Sequence, residues 1–365
     1  MPDPATAPAL TPAQSAALRY VREVALRDRP AALATIARHL AGSGTAYQAE
    51  EIIAAVAAHG RLTLNFHPDR LLRDGRTVAE ALDQDGVYRS QFETGISNGG
   101  LTAFPGGDRD RWEATLFGGA YQRTGVLPAE RPKYGGLNLL DHADGACPRF
   151  GSCYLRLRPE VLARATFTFG DSHIQPKDLA TLDAFEPVLA ALLDATAGAS
   201  LGVAGMDTGT LLRALLRRRE RESGEAGRAL DDYIEAQIHG ELSLAWDVEA
   251  LVVDPSFRGT DAGRILAGIA RRHGFPLRWH GGFELPVDGV DAEFRGVAIP
   301  PFAARVHAEF ARPGEPVHAA LIGRAAASLV RDPERWADRG PVEVTLQHLK
   351  QLWHVLVRFG TPAAG

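Results

Sequence analysis

The chain has 365 residues, of which 45% are hydrophobic and 23% are charged, and its formal net charge is −5. This is the composition of a globular protein with a buried core, and it excludes a chain that is basic overall, so we expect no nucleic-acid partner. Two cysteines, Cys147 and Cys153, are too few for a disulfide framework or a four-thiolate zinc site.

The sequence also predicts that the protein does not span a membrane. No apolar run approaches the roughly 20 residues that a membrane-spanning helix needs. The first residues lack the basic segment and apolar core of a secretory signal. We therefore expect a cytoplasmic protein, or one exported by a route that needs no signal peptide.

The N-terminal part is predicted to be helical. Residues 1–10 are small and proline-rich, and we expect them to be disordered. Thr11 to Gln14 form a capping box with proline at the first helical position, which opens a helix. Two further helices are predicted, at 30–40 and 45–59. Residues 11–60 thus form a predicted N-terminal helical subdomain.

Residues 61–275 have the pattern of an α+β core. Apolar and polar residues alternate in the segment 61–66, which predicts a strand, and a capping box at 77–80 predicts a short helix. Further strands are predicted at 87–92, 136–141, 151–157, 165–169, 233–239 and 248–253, and helices at 108–120, 178–196 and 207–222. Because strands and helices interleave irregularly, the pattern favours α+β over a doubly wound sheet.

The last part of the chain is again helical. Helices are predicted near 260–273, 303–311, 317–330 and 343–358, separated by loops rich in glycine and proline. We therefore expect a mostly helical C-terminal extension over residues 276–365.

The segment 87–100 is the first candidate site. It places Arg89 in a predicted strand before a loop that contains Gly95, Ser97 and Gly99. A guanidinium can bind phosphate through two donors, and glycines let backbone N–H groups approach an anion. A surface arginine beside a glycine-rich turn is the alternative interpretation.

Two predicted strands carry further candidates. Thr166 and Thr168 share one face of the strand 165–169, which either lines a ligand site or belongs to an ordinary core strand. In the strand 233–239, period 2 places four polar side chains on one face, which favours a strand that lines a cleft over a solvent-facing antiparallel strand. These four are Tyr233, Glu235, Gln237 and His239. The loops 131–138 and 149–152 are either nucleotide contacts or ordinary turns.

Taken in order, these motifs resemble a known bacterial family. They read YRSQFETGISNGG, KYGGLNLL, RFGSCYL, TFTFGDSH, YIEAQIHG and DPSFRGT, and they fall within residues 11–270. The set is similar to the CteC-type mono-ADP-ribosyltransferases, which were first catalogued as a domain of unknown function. The resemblance implies an ADP-ribosyltransferase-like split β-sheet core.

The resemblance also implies an activity and roles for individual residues. ADP-ribose would pass from NAD, the co-substrate, to a protein side chain, with a threonine hydroxyl as the acceptor in the CteC type and no metal required. Arg89 would hold the NAD phosphates and Glu235 would be the late carboxylate, with Gln237 and His239 beside it. Further contacts to NAD would come from Gly95, Ser97, Gly99, Tyr134, Thr166, Thr168, Asp171 and Ser172.

The chain departs from the family pattern at two places. Thr166-Phe167-Thr168 stands where relatives have Ser-Thr-Ser, and Glu235-Ala236-Gln237 inverts the usual Gln/Glu-x-Glu order. Glu241 and Glu93 are the reserve candidates for the catalytic carboxylate. The base for a hydroxyl acceptor would be Glu93, Asp171 or His239. By family analogy alone, ubiquitin is a candidate acceptor, which would make the protein toxin- or effector-like.

Two other functions are compatible with the sequence. His67, His173 and His239 lie near strand ends and could act together as ligands in a metal-dependent hydrolase. The sequence has no closely spaced ligand pair such as HxH or HExxH to support that interpretation. The other alternative is a non-catalytic module that binds NAD without releasing nicotinamide.

Overall fold

The computed structural model describes residues 9–96, 102–197, 206–216 and 225–363. Most of the segment 1–10, for which disorder was predicted, lies outside these residues. Eight strands are present in the described residues: β1 (Arg61–Phe66), β2 (Lys133–Asn138), β3 (Cys153–Leu157), β4 (Ala165–Phe169), β5 (Leu179–Thr181), β6 (Ile234–Ile238), β7 (Val248–Val253) and β8 (Leu277–Trp279).

The eight strands form one sheet in the order β5-β4-β6-β2-β1-β3-β7-β8. All neighbours are antiparallel except β7 and β8, which run parallel. The mixed sheet and the irregular placement of the helices confirm the predicted α+β class. β6 lies inside the sheet with a hydrogen-bonded partner on each side.

Twelve α-helices surround the sheet in the described part of the chain. They are α1 (Pro12–Gly42), α2 (Ala49–His59), α3 (Val78–Asp85), α4 (Gln91–Thr94), α5 (Asp108–Leu116), α6 (Glu186–Ala197), α7 (Thr208–Leu216), α8 (Leu244–Asp247), α9 (Asp261–His273), α10 (Ile299–Phe310), α11 (Ala319–Arg331) and α12 (Val342–Phe359). None of these helices has both the length and the apolar character that crossing a bilayer requires.

Helix α1 differs from its prediction because it is one helix rather than two. Thr11 forms the expected capping box with Gln14, but the helix continues through Pro30 to Gly42. A proline in a helix interior removes one hydrogen bond and crowds the preceding turn. Ala25 and Ile36, on either side of Pro30, are fully buried, and α1 packs along α6 and β5. This tertiary packing outweighs the local cost of the proline.

The strand predicted at 87–92 is wrong. Ser90 instead caps the short helix α4, accepting a hydrogen bond from the N–H of Glu93, whose carboxylate accepts one from the N–H of Ser90. This reciprocal capping box stabilises a helix start over an extended strand. Arg89 therefore lies on the loop before a helix.

Other predicted elements are confirmed with shifted ends. The strand predicted at 136–141 begins at Lys133, and the helix predicted at 108–120 ends at Leu116. The stretch 178–196 divides into β5 and α6, while the stretch 207–222 contains α7 and then leaves the described residues at 217. The C-terminal helices α10, α11 and α12 pack on one another.

Trp353 fixes helix α12 against Pro148 and against His67. Its indole N–H donates to the carbonyl of Pro148 at 2.8 Å, and its ring meets that of His67 edge-on at 5.0 Å. His67 follows directly after β1. This contact places α12 beside the ends of the central strands, where the candidate site lies.

Candidate active site

Strand β6 carries the central polar side chains of the site. The hydroxyl of Tyr233 donates to Oε2 of Glu235 at 3.4 Å, and the amide of Gln237 donates to Oε1 of Glu235 at 3.0 Å. All three side chains are buried. The predicted alternation is thus confirmed, since these side chains share one face of the strand with His239.

Strand β4 places its two threonines against this polar row. The antiparallel register pairs Thr168 with Glu235 and Thr166 with Gln237. The hydroxyl of Thr166 donates to Oε1 of Gln237 at 2.8 Å, and Nε2 of Gln237 donates to Oγ1 of Thr168 at 3.2 Å. The Thr-Phe-Thr strand therefore holds Gln237, and Gln237 in turn orients the carboxylate of Glu235.

His239 lies at the other end of this row, behind Thr166. Its Nδ1 is 2.5 Å from the hydroxyl of Tyr121, and its Nε2 is 3.1 Å from Oγ1 of Thr166. Burial lowers the pKa of His239 to about 3, so the imidazole is neutral near pH 7. His239 is fully buried and does not line the cavity described next. Its contacts are those of a positioning residue.

A cavity opens in front of Glu235. Its wall includes Tyr134 and Gly135 of β2, together with Asp171 and Cys147. Gly135 allows β2 to lie close to β1, because a Cβ atom at this position would lie 2.5 Å from the carbonyl oxygen of Thr63 on β1. Tyr134 and Asp171, both predicted as ligand contacts, are therefore brought to Glu235.

Arg109 completes this wall, and the sequence analysis missed it. Its NH1 donates to Oγ of Ser172 at 2.8 Å, and its guanidinium lies over the rings of Tyr134 and Trp112, at 4.4 and 4.9 Å from their centroids. On α5 the spacing i, i+3 and i+4 places Arg109, Trp112 and Glu113 on one face of the helix. This helical spacing of charged and aromatic residues was the available signal.

A buried ion pair between Glu113 and Arg131 helps to position Arg109. Glu113 accepts from NH1 of Arg131 and from the hydroxyl of Tyr134, both at 2.8 Å. Burial raises the pKa of Glu113, and Arg131 opposes the rise. These bonds fix α5 against β2 and thereby hold Arg109 at the cavity.

The two carboxylates at the cavity have opposite pKa shifts. Burial, together with the charge of Asp171, raises the pKa of Glu235 to about 7, while Arg109 opposes the rise. Burial also acts to raise the pKa of Asp171, but hydrogen bonds from His173 outweigh it, and the net shift is downward. Asp171 is therefore ionised near pH 7, whereas Glu235 is near its titration midpoint.

The loop after β4 contacts Glu235 directly. The backbone N–H of Ser172 donates to Oε2 of Glu235 at 3.3 Å, while Oδ1 of Asp171 lies 2.9 Å from Nδ1 of His173. Oδ2 of Asp171 is buried and has no hydrogen-bond partner among the described residues. The predicted pair Asp171 and Ser172 thus belongs to the same cluster as Glu235.

Arg89 lines another part of the same cavity. Its Nε lies 2.9 Å from Oδ2 of Asp85 in an ion pair. Gly95 ends α4 in the left-handed conformation, with φ 71°, and the guanidinium of Arg73 packs where a Cβ atom would lie. Ser97 and Gly99, the other predicted residues of this loop, lie outside the described residues.

The two reserve carboxylates, Glu93 and Glu241, lie outside the cavity that contains Glu235. Glu93 is committed to the capping box of α4, where it accepts from the N–H of Ser90 at 2.8 Å. Glu241 is exposed beyond the end of β6. Neither lines the cavity, whereas Glu235 and Asp171 do.

The three histidines proposed as metal ligands have separate neighbours. His67 contacts Ser152 and Trp353, His173 contacts Asp171 and Trp112, and both ring nitrogens of His239 are engaged as described above. Over residues 9–96, 102–197, 206–216 and 225–363, no group of three His, Cys, Asp or Glu side chains is arranged to hold a metal ion.

Comparison with known proteins gives a family but no characterised relative. A family model described as a protein of unknown function, DUF3626, matches residues 61–359, from the start of β1 to the end of α12. No curated protein matches the chain. The match therefore includes the C-terminal helices together with the sheet.

Proposed function

The chain belongs to the DUF3626 family, and we propose that it is an NAD-dependent mono-ADP-ribosyltransferase built on an ADP-ribosyltransferase-like core. The observation that carries the proposal is the pairing of Glu235 with the Thr-x-Thr strand. A buried carboxylate on an internal strand faces a cavity, and the threonines of the neighbouring strand hold it through Gln237. The sequence resemblance to CteC-type enzymes implies this carboxylate and this strand.

Glu235 has the chemistry that the reaction requires. Cleavage of the bond between nicotinamide and ribose builds positive charge on the ribose, and nicotinamide leaves with the bonding electron pair. An ionised carboxylate beside the ribose stabilises that charge and accepts a hydrogen bond from a ribose hydroxyl. The hydrogen bonds from Gln237 and Ser172 hold Glu235 in one orientation before the substrate arrives.

Asp171 is the group best placed to receive the acceptor's proton. When a hydroxyl oxygen of the acceptor protein bonds to the ribose carbon, its proton must pass to a base. Asp171 is ionised, lines the cavity and has one carboxylate oxygen without a partner in the described residues. Glu93 and His239 do not line the cavity, so Asp171 is favoured among the three predicted bases.

The arginines supply the positive charge that an anionic substrate needs. Arg109 and Arg89 line the cavity that contains Glu235. Arg109 is buried beside Glu235, where it favours the ionised carboxylate. We assign Arg89 to the NAD phosphates, as the resemblance implies, although on a loop rather than on a strand.

The test is release of nicotinamide from NAD by the purified protein. It is measured alone, with ubiquitin and with a cell lysate, using NAD labelled in its adenosine half. Release that rises with an acceptor, labels protein and falls in Glu235→Gln supports the transferase. The exposed Glu160→Gln serves as the matched control.

One outcome would contradict the role of Glu235, and another would contradict the transferase activity itself. Full turnover by Glu235→Gln would remove Glu235 from the mechanism. No release by a folded protein that still binds NAD would leave the non-catalytic NAD-binding module. The acceptor residue would be identified by mass spectrometry of the labelled protein.

A further inference from the structure

A second compartment lies beside the cavity that contains Glu235. The two share a wall formed by His67, Arg70, Leu72, Ile96 and Phe150. Helices α11 and α12 line the second compartment on another side. A ligand that occupied both compartments would contact both the sheet and the C-terminal helices.

Arg70 is the residue of the shared wall that is best suited to bind an anionic ligand. It is half-buried, and its guanidinium has no hydrogen bond or ion pair with any residue that the structure describes. Burial lowers the pKa of Arg70 to about 10, so the side chain stays charged near pH 7. A cation that is partly removed from water without a partner is costly, and a bound anion would offset that cost.

The second compartment is positively charged near this wall. Arg149 and Lys350 line it together with Arg70, and Nε of Arg149 is buried with no partner among the described residues. Among the described residues that line this compartment, Asp69 is the one that carries a carboxyl group. Burial raises the pKa of Asp69 to about 7. Cations therefore outnumber anions here, which fits a ligand that carries phosphate groups.

The remainder of the compartment is apolar. Ala326 on α11 and Leu346 on α12 contribute aliphatic surface, and Trp353 contributes an aromatic ring. Such walls bury the faces of a flat heteroaromatic base, while charged groups at the edge bind its phosphates. The compartment thus combines the two features that a nucleoside diphosphate requires.

We propose that the second compartment binds the adenosine diphosphate half of NAD, with its pyrophosphate between Arg70 and Arg89, which both line the cavity that contains Glu235. This inference rests on the proposed function, because it assigns the nicotinamide ribose to the cavity beside Glu235. The pyrophosphate joins the two halves of NAD, and Arg70 lines both compartments. Helices α11 and α12 then select the adenine nucleotide.

The test is binding of ADP, measured by calorimetry on the full chain without any turnover. Ala326→Leu fills the compartment, and Arg70→Met removes the charge while keeping the length of the side chain. Each is expected to weaken ADP binding at least tenfold. Ala327→Leu, one residue along the same helix and outside the compartment lining, is the matched control and should bind ADP as the wild type does. Thermal unfolding checks that each variant is folded.

The outcomes separate this inference from the proposed function. Wild-type protein that does not bind ADP, or a folded Ala326→Leu that binds it normally, overturns the inference even if nicotinamide is released from NAD. ADP binding that both variants weaken supports the compartment even if no nicotinamide is released. In that case the transferase fails and the adenine nucleotide site remains.

Discussion

The side-chain amide of Gln237 donates to Oε1 of Glu235 at 3.0 Å, and the two residues are neighbours on one face of β6. The same amide is held by Thr166 and Thr168 on the adjacent strand. Gln237 therefore cannot rotate without breaking three hydrogen bonds. The orientation of the Glu235 carboxylate depends on β4 as much as on β6.

Thr168→Val removes one of the bonds that hold Gln237. Because valine has the same shape but no hydroxyl, we expect the free energy of unfolding to fall by about 1–2 kcal/mol. Nicotinamide release should fall by about tenfold, since Glu235 loses part of its support. Urea unfolding and a release assay measure the two effects. The exposed Thr115→Val is the control, and a Thr168→Val protein with wild-type stability would contradict the bonding described.

The pH dependence of turnover should follow Glu235. Because the carboxylate must be ionised to stabilise positive charge, and its pKa is raised to about 7, nicotinamide release should increase as the pH rises from 6 to 8. Below the midpoint the rate should change by about tenfold per pH unit. A steady-state pH profile measures this, and a rate that is flat from pH 5 to 8 would argue against Glu235 as the stabilising group.

The stability of Glu235→Gln should depend on pH in a defined direction. The folded pKa of Glu235 lies above its ordinary value, so its contribution to stability is present below that ordinary value and is lost as the pH rises through about 7. A neutral glutamine avoids that loss. We therefore expect the melting temperature of the variant, relative to wild type, to be higher at pH 8 than at pH 5. The opposite trend in calorimetry would contradict the burial of this carboxylate.

Arg109→Met should shift the pH profile as well as lower the rate. Arg109 favours the ionised form of Glu235, so its loss should raise the pKa of Glu235 and move the acid limb to higher pH. At pH 7 we expect a fall in rate of at least tenfold, with partial recovery at pH 9. Arg109→Lys retains the charge and should keep the limb near its original position. An unshifted limb in a folded Arg109→Met protein would show that the two groups are not coupled.

Two glycines of α9 should respond oppositely to alanine. A Cβ atom at Gly263 would overlap the backbone carbonyl of Phe257, whereas one at Gly268 would meet no atom within 4 Å. We expect Gly263→Ala to destabilise the protein by about 1–3 kcal/mol, because backbone must move. Gly268→Ala should stabilise it by up to about 1 kcal/mol, since alanine favours the helix. Chemical denaturation of both variants measures the difference, and equal effects would contradict this packing of α9.

The polar row of the site could be predicted because it follows a local rule. Period 2 along 233–239 placed Glu235 and Gln237 together, and the same rule paired Thr166 with Thr168. The capping box at Ser90 was equally local and contradicted the strand predicted there. In that case the signal is present in the sequence, because the reciprocal capping box of Ser90 and Glu93 outweighs the strand propensity of the neighbouring apolar residues.

Arg109 and Arg70 could not be predicted in the same way. Arg109 reaches Glu235 only because α5 packs on β2 through Glu113 and Arg131, and Arg70 lies on an irregular segment after β1. The helical spacing of Arg109, Trp112 and Glu113 marks one face of α5, but only contacts between residues far apart in the sequence bring that face to the cavity. No periodic pattern marks Arg70. The long helix α1 has a similar cause, since its burial against α6 overrides Pro30.

The position of β6 inside the sheet has a consequence for the motions of the protein. Its backbone amides are hydrogen-bonded to β2 and β4, so local opening of one neighbour leaves the other in place. Amides in such a strand exchange with solvent mainly through the largest unfolding events. Hydrogen exchange should therefore be slow at Glu235 and its neighbours on β6, as on the other internal strands of the sheet. Any motion that admits a ligand must then come from the helices and loops around the cavity, while the carboxylate stays fixed.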